Sequence, residues 1–167
     1  KIERRASVWL HKLGQDPSQD ICLFNEKDPR FSVDVGRSRS GRFILLESAS
    51  ATTSEYWYLD VDGEDLSFQC FEPRKTGINY TLDHARVGKV DHWVVSTHNS
   101  ENKPEIWFYP QLPTTNIDPF LFWQGNCNEA ITKLDVYKNY IVFSVRRFGA
   151  SDLVSIALDP NKQLTEQ

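Results

Sequence analysis

The chain has 167 residues, of which 40% are hydrophobic and 25% charged, and its formal net charge at pH 7 is −4. This weakly acidic balance disfavours a nucleic-acid-binding surface, and no stretch approaches the roughly 20 apolar residues that a membrane-spanning helix needs. The three cysteines, Cys22, Cys70 and Cys127, are odd in number and widely spaced, which favours reduced thiols and a cytoplasmic location over a disulfide framework.

The first strand-like runs lie within residues 1–28. Val8–Leu10 places Trp9 between two apolar residues, and Ile21–Phe24 follows a turn signal at Asp16–Ser18. Short runs of aromatic and β-branched residues between turn residues favour strands over helices. We expect these two strands to be the outer part of a sheet, as the remnant of one blade of a larger fold.

Residues 29–74 contain four predicted strands. The run Phe31–Gly36 alternates, with Phe31, Val33 and Val35 on one face, as expected of a half-buried strand. A hairpin and a fourth run complete the set: Gly41–Ser48, Glu55–Val61 and Ser67–Phe71.

The same order of strands recurs twice further along the chain. Residues 75–126 contain the runs Ile78–His84, Val90–Ser96, Glu105–Tyr109 and Phe120–Trp123, with a proline-rich loop at Pro110–Pro119. Residues 127–167 contain the runs Ile131–Val136, Asn139–Val145 and Ser151–Leu158. We expect each hairpin to have a polar connection of about five to eight residues, a length that is typical of compact domains.

Three tryptophans mark the repeat. Trp9, Trp57 and Trp107 are 48 and 50 residues apart, and Val154 follows 47 residues after Trp107 in a run without tryptophan. Short strands that recur every 40 to 50 residues are typical of β-propeller blades, which bury their faces only by stacking on neighbours. The chain is therefore predicted to be all-β. It is expected to form a partial β-propeller of about three to four four-stranded antiparallel blades, divided at residues 1–28, 29–74, 75–126 and 127–167.

Long strings within these strands resemble the propeller of the prolyl oligopeptidase family. They include Asn25–Phe31, Val35–Arg42, Thr53–Glu55 and Tyr80–His84, and the resemblance extends from Arg5 to about Leu158. Within that family the strings are most similar to the oligopeptidase B (protease II) branch. The resemblance implies a seven-bladed propeller over an α/β-hydrolase domain in a serine peptidase. It also implies cleavage of short peptides after Lys or Arg, with the propeller limiting which substrates reach the catalytic serine.

One string comes close to the nucleophile elbow of a serine hydrolase. Gly36–Gly41 reads G-R-S-R-S-G, whereas an elbow reads G-x-S-x-G and leads from a strand into a helix. Because this string joins two predicted strands, we interpret it as a turn. The histidines and cysteines lack the spacing of a zinc site, and the acidic run Asp60–Asp65 lacks the bidentate glutamate of an EF-hand. We interpret that run as a solvated hairpin turn, and we assign no catalytic, cofactor-binding or metal-ligating residue.

A basic cluster, Arg37, Arg39 and Arg42, lies on the same turn as the G-R-S-R-S-G string. Two interpretations are open. The cluster is a solvated turn, as surface charges usually are, or it meets acidic partners in the propeller channel or on the hydrolase domain.

The resemblance implies that the chain is a non-catalytic, substrate-gating fragment. Its implied partners are its own catalytic α/β-hydrolase domain and short peptide substrates, with no cofactor, nucleic acid or membrane. The sequence contains no methionine, so we expect an excerpt that lacks its start. The resemblance implies that it also lacks the catalytic half. Two alternatives remain open, an interaction scaffold of propeller type and a remnant of an inactive family member. Open blade edges further predict self-association.

Overall fold

The computed structural model describes residues 5–87, 90–98, 101–111 and 118–158. Apart from a 3-10 turn at Pro17–Gln19, every regular element within these ranges is a strand, which confirms the all-β prediction. The strands are β1 Ser7–Leu10, β2 Ile21–Asn25, β3 Ser32–Arg37, β4 Phe43–Ala49, β5 Ser54–Asp60, β6 Gln69–Glu72, β7 Thr81–Val87, β8 Val90–His98, β9 Pro104–Pro110, β10 Phe120–Gln124, β11 Ala130–Val136, β12 Tyr140–Arg147 and β13 Ala150–Ala157.

The strands pair antiparallel in the order of the sequence. They form four sheets, β1–β2, β3 to β6, β7 to β10 and β11 to β13. Such sequential meanders are the unit of a β-propeller. Strand β7 begins three residues later than expected, because Ile78 closes a turn with Lys75 and its carbonyl accepts the N–H of Ser54. Within the proline-rich loop, residues 112–117 lie outside the described ranges.

The connection between β12 and β13 is shorter than predicted. Arg147 pairs with Ala150 across the ladder, so only Phe148 and Gly149 remain in the loop. Their φ angles are 46° and 84°. Positive φ at both central residues is the mark of a type I′ turn, whose twist matches that of the flanking strands and so permits a two-residue hairpin. The expectation of five to eight polar residues was therefore wrong here.

The first of two compact units consists of the described residues in 5–37 and 42–79, which carry sheets β1–β2 and β3 to β6. Phe43 and Leu46 of β4 are completely buried, and Phe31 and Leu59 are nearly so. Val35, which was expected on the buried face of β3, is 44% exposed. The inward face of β3 is thus shorter than its alternating pattern predicts.

The second unit consists of residues 38–41 and the described residues from 80 to 158, with sheets β7 to β10 and β11 to β13. Both sheets contribute to one apolar cluster, which includes Ile106 and Phe108 on one side and Ile141 and Phe143 on the other. The ring of Trp123 meets Phe143 edge-on, with centroids 4.7 Å apart. Aromatic burial of this kind dominates the packing of two sheets face to face.

Candidate functional site

A half-buried arginine lies between two buried carboxylates in the first unit. Arg74, which follows β6, places Nη2 2.5 Å from Glu26 Oε2 and 3.0 Å from Glu55 Oε1. The backbone N–H of Arg74 also donates to Glu55 Oε2 at 2.8 Å, and Ser48 Oγ donates to Glu26 Oε2 at 2.6 Å. The two glutamate side chains are only 6% and 8% exposed. Buried charges need such partners, because an unpaired ion is costly to remove from water.

The electrostatics of this Arg74 cluster keep all its members charged. Burial raises the pKa of Glu26, but hydrogen bonds from Ser48 and Arg74 outweigh it, so the pKa lies below its ordinary value. Burial also raises the pKa of Glu55, and bonds from Arg74 and Trp57 again reverse the balance. Burial lowers the pKa of Arg74, yet its bonds to the two glutamates raise it overall.

A cavity of about 350 Å³ opens beside the Arg74 cluster. The Arg74 guanidinium lies 4.0 Å from the centroid of the Phe31 ring, within cation–π distance. Arg30, on the same rim, binds Asp28 and holds the pKa of that carboxyl at about 2. Since both guanidinium groups already have carboxylate partners, they give the cavity no surplus positive charge. The remaining lining residues are mostly hydroxyl-bearing: Ser50, Ala51, Thr52, Thr53 and Thr76.

The G-R-S-R-S-G string connects β3 to β4, so the interpretation as a turn is confirmed. What the sequence did not reveal is the histidine beside it. Ser40 Oγ lies 2.7 Å from Nδ1 of the fully buried His84, and His84 Nε2 lies 2.9 Å from Gln111 Oε1. In this arrangement Nε2–H donates to Gln111, and Nδ1 accepts the hydroxyl proton of Ser40.

This Ser–His–Gln series differs from a catalytic triad in two respects. The neutral amide of Gln111 stands where a carboxylate would stabilise the imidazolium form of His84. Ser40 also lies on a turn between two strands, not on a strained turn that opens a helix. The arrangement can hold the turn against β7, but it lacks the negative charge that supports a serine nucleophile.

The basic cluster does not form an open basic surface. Arg39 pairs with Asp135, and its guanidinium carbon lies 5.5 Å from the Tyr137 ring centroid. Arg42 binds Asp60 at 2.8 Å. Acidic partners for two of the three arginines are thus present within the chain itself, which the interpretation as a solvated turn did not foresee. Residues 61–65 of the acidic run are exposed in the β5–β6 connection, as predicted.

A repeated pair of residues fixes the tryptophans that mark the period. On β5, Trp57 Nε1 donates to Glu55 Oε1 at 2.9 Å, and on β9 Trp107 Nε1 donates to Glu105 Oε2 at 2.9 Å. Residues two apart on a strand share a face, so a Glu-x-Trp spacing places the carboxylate beside the indole. This spacing was visible in the sequence and would have identified Glu55 as a buried anchor.

The cysteines and the other residue types that bind metals are further candidates for site residues. Cys22 and Cys127 are exposed free thiols, and burial raises the pKa of the half-buried Cys70 to about 11. Across the described ranges, no three His, Cys, Asp or Glu residues lie together as a metal site would require. No helix in that part of the chain is long and apolar enough to span a bilayer.

Comparison with known proteins gives matches along the entire sequence. Residues 1–167 match the family described as "Prolyl oligopeptidase, N-terminal beta-propeller domain". Protease 2 from Moraxella lacunata is 38% identical over 82 residues, which are 49% of this chain and 12% of that protein. Dipeptidyl aminopeptidase BI from Pseudoxanthomonas mexicana is 33% identical over 91 residues, 54% of this chain and 12% of that protein.

Solved structures share the fold. Oligopeptidase B from Trypanosoma brucei, in a closed form with covalently bound antipain, superposes with a TM-score of 0.82 and 28% identity over 95% of this chain. Oligopeptidase B from Leishmania major gives a TM-score of 0.80 and 21% identity over 94% of this chain. The prediction of a partial β-propeller is confirmed. The match covers 22% and 23% of those two chains, so this sequence spans less than a quarter of either.

Proposed function

Because the chain belongs to the prolyl oligopeptidase family, as part of its N-terminal β-propeller domain, we propose that it is the substrate-admitting, non-catalytic part of an oligopeptidase B-type peptidase. The propeller of this family is the N-terminal part of multidomain peptidases that also contain a catalytic domain. The proposed activity of the whole polypeptide is hydrolysis of short peptides after Lys or Arg.

The observation that carries this proposal is the match of all 167 residues to the propeller domain, together with 38% identity to a stretch of Protease 2. The site geometry supports the same division of roles. Ser40 lies beside His84, and that histidine is backed by the neutral Gln111. The nucleophile is therefore proposed to lie elsewhere in the polypeptide.

A substrate series tests the proposed activity. The full-length protein is assayed on fluorogenic short peptides that differ only in the residue before the scissile bond, with Arg and Lys compared against Pro and Ala. We expect turnover of the basic peptides and none by the 167-residue chain alone. Preferred cleavage after Pro, or turnover by the isolated chain that is lost in Ser40→Ala, would contradict the proposal.

The gating role has its own test. The same basic cleavage site is placed in a short peptide and in an exposed loop of a stable folded protein. A propeller that limits access leads to cleavage of the peptide alone, whereas comparable cleavage of both substrates would refute gating.

We also propose that the four sheets are successive blades, divided at residues 1–28, 29–74, 75–126 and 127–167, in a protein of the reducing cytoplasm. Exposed Trp9 and Ile21 on the β1–β2 sheet, each 58% accessible, support self-association of the isolated chain. Sedimentation equilibrium over a range of concentrations checks this, since a constant monomeric mass would exclude it.

A further inference from the structure

Phe148 combines two features that a folded domain normally avoids. Its side chain is fully exposed at the tip of the β12–β13 hairpin, with a relative accessibility of 101%. Its φ of 46° also lies in the left-handed region, where a bulky side chain is crowded by its own carbonyl group. Neither the hairpin nor the core gains from an aromatic ring in this position.

Two other residues show which side chain this backbone conformation favours. Asn102 and Asn128 also have positive φ, 61° and 70°, and these three are the non-glycine residues of that kind in the described ranges. Asn102 lies between β8 and β9, and Asn128 lies between β10 and β11. Asparagine tolerates the left-handed region. Of the three left-handed positions, Phe148 is therefore the one occupied by a residue type that does not suit it.

The three connections leave their sheets at one end of the second unit. Gln124 pairs with Glu105 at the start of β9, and Ala130 pairs with Arg146 near the end of β12. We call the surface formed by residues 101–103, 125–129 and 148–149 the Phe148 surface.

The base beneath Phe148 is closely packed, and its charges are paired. Arg147 Nε lies 2.9 Å from Glu129 Oε1, and Glu129 Oε2 accepts the backbone N–H of Asn126 at 2.9 Å. A Cβ on Gly125 would lie within 2.8 Å of three neighbouring side chains, so this connection is closely packed. Lys103 pairs with Glu101 on the same surface. An exposed ring on a pre-formed base, with neutralised charges around it, is the pattern of an interface hot spot.

From these observations we infer that Phe148 is a docking anchor that inserts into an apolar recess on the catalytic domain of the same polypeptide. This inference rests on the proposed function. Tethering favours a domain of the same polypeptide over a second copy: relatives carry more than three-quarters of their length outside this stretch, and a tethered domain has an effective concentration near millimolar. A second copy of the chain at micromolar concentration competes poorly. The paired charges around the ring fit an apolar recess better than a charged partner.

The test uses the full-length protein and three variants. Phe148→Asn removes the ring and places in the turn the residue type found at the two other left-handed positions, so the fold is retained. Phe148→Tyr keeps an aromatic ring. Leu13→Asn is the matched control, since Leu13 is 92% exposed on the loop between β1 and β2. Domain opening is measured as the rate of limited proteolysis between propeller and catalytic domain, and by small-angle scattering.

We expect Phe148→Asn to speed interdomain proteolysis about 30-fold, the lower limit for losing one hot-spot residue. Leu13→Asn should match the parent protein, and Phe148→Tyr should lie between the parent and Phe148→Asn, because it keeps the ring but places a hydroxyl in an apolar recess. An unchanged proteolysis rate and scattering profile in Phe148→Asn would overturn the inference. So would a dimer of the parent that dissociates in Phe148→Asn, since the ring would then bind a second copy.

The peptidase assay separates this inference from the proposed function. If the variant opens the domains but the parent shows no cleavage after Lys or Arg, the anchor stands and the proposed activity falls. If the parent cleaves basic peptides and Phe148→Asn opens nothing, the anchor falls and the proposed activity stands.

Discussion

Trp107 donates its indole N–H to the carboxylate of Glu105, two residues earlier on β9, across 2.9 Å. Trp57 and Glu55 repeat this bond on β5, whereas on β1 Trp9 donates to the exposed Ser7 at 3.0 Å. The period read from the tryptophans is therefore also a period of hydrogen bonds, which are partly buried in the second and third copies. The bond of Trp9 to Ser7, in the first copy of the repeat, is exposed to solvent.

Replacement of each tryptophan by phenylalanine should lower stability more where the Trp bond is partly buried than where it is exposed. Trp57→Phe and Trp107→Phe remove a donor from a buried carboxylate and should each lower the free energy of unfolding by about 1–2 kcal/mol. Trp9→Phe should cost less than about 0.5 kcal/mol, because water replaces the lost bond. Urea unfolding of the three variants measures the difference, and equal losses would show that the bonds do not matter.

Removal of Arg74 should be among the most damaging single changes in the first unit. Arg74→Met leaves Glu26 and Glu55 buried without their shared cation, so we expect a loss of about 3 kcal/mol in unfolding free energy. Arg30→Met is the control, since its pair with Asp28 is 78% exposed on the arginine side and should matter by less than about 0.5 kcal/mol. A similar effect of the two changes would refute the role of the buried cluster.

The Arg74 cluster also predicts how stability depends on pH. The pKa values of Glu26 and Glu55 are lowered from the ordinary 4.5 in the folded state. Their contribution to stability is therefore complete above about pH 4.5 and is lost as the pH falls through the lower folded values. In Arg74→Met, burial is the largest remaining influence and raises both pKa values. The fall in unfolding free energy that these two glutamates cause at acidic pH should therefore vanish or become a gain. Urea midpoints between pH 3 and pH 7 test this, and parallel profiles of parent and variant would contradict it.

The strained turn makes a stability prediction that is independent of docking. Phe148→Asn in the isolated chain should raise the free energy of unfolding by about 1 kcal/mol, because asparagine relieves the left-handed strain and no packing is lost. Phe148→Ala keeps the strain and should gain less than about half as much. If both variants are less stable than the parent, the ring contributes packing that its full exposure does not show.

The three thiols should react at different rates. Burial, with help from the charge of Glu55, raises the pKa of Cys70 to about 11 from an ordinary 9.0. Its thiolate fraction at pH 8 should be roughly 100-fold lower than that of an unperturbed thiol. Alkylation by iodoacetamide, followed by mass spectrometry, should therefore modify the exposed Cys22 and Cys127 well before Cys70. Modification of Cys70 at a comparable rate would indicate that β6 opens readily.

Much of the fold could be predicted because strands are encoded locally. Runs such as Phe43–Ala49 and Tyr140–Arg147 combine apolar alternation with β-branched or aromatic residues, and turn residues separate them. The two-residue loop was not predicted because phenylalanine is not among the residue types that usually occupy the first central position of a type I′ turn. Only the glycine after it signalled a tight hairpin.

The pairings of charged residues could not be predicted in the same way. Arg39 and Asp135 are 96 positions apart, and Arg74 reaches Glu26 across 48 positions. Such pairs depend on which sheets pack together and on which side chains become buried, and neither is written in a local pattern.

The sequence by itself determined the all-β class, the period near 48 residues and the likeness to a propeller, since strand formation and turn chemistry act over a few residues. Only the tertiary structure decided which side chains meet. It placed His84 beside Ser40 with an amide instead of a carboxylate behind it, and it left Phe148 exposed on a two-residue turn. Packing alone determines which groups lose contact with water, and that loss gives a charge, a hydrogen bond or an exposed ring its energetic weight.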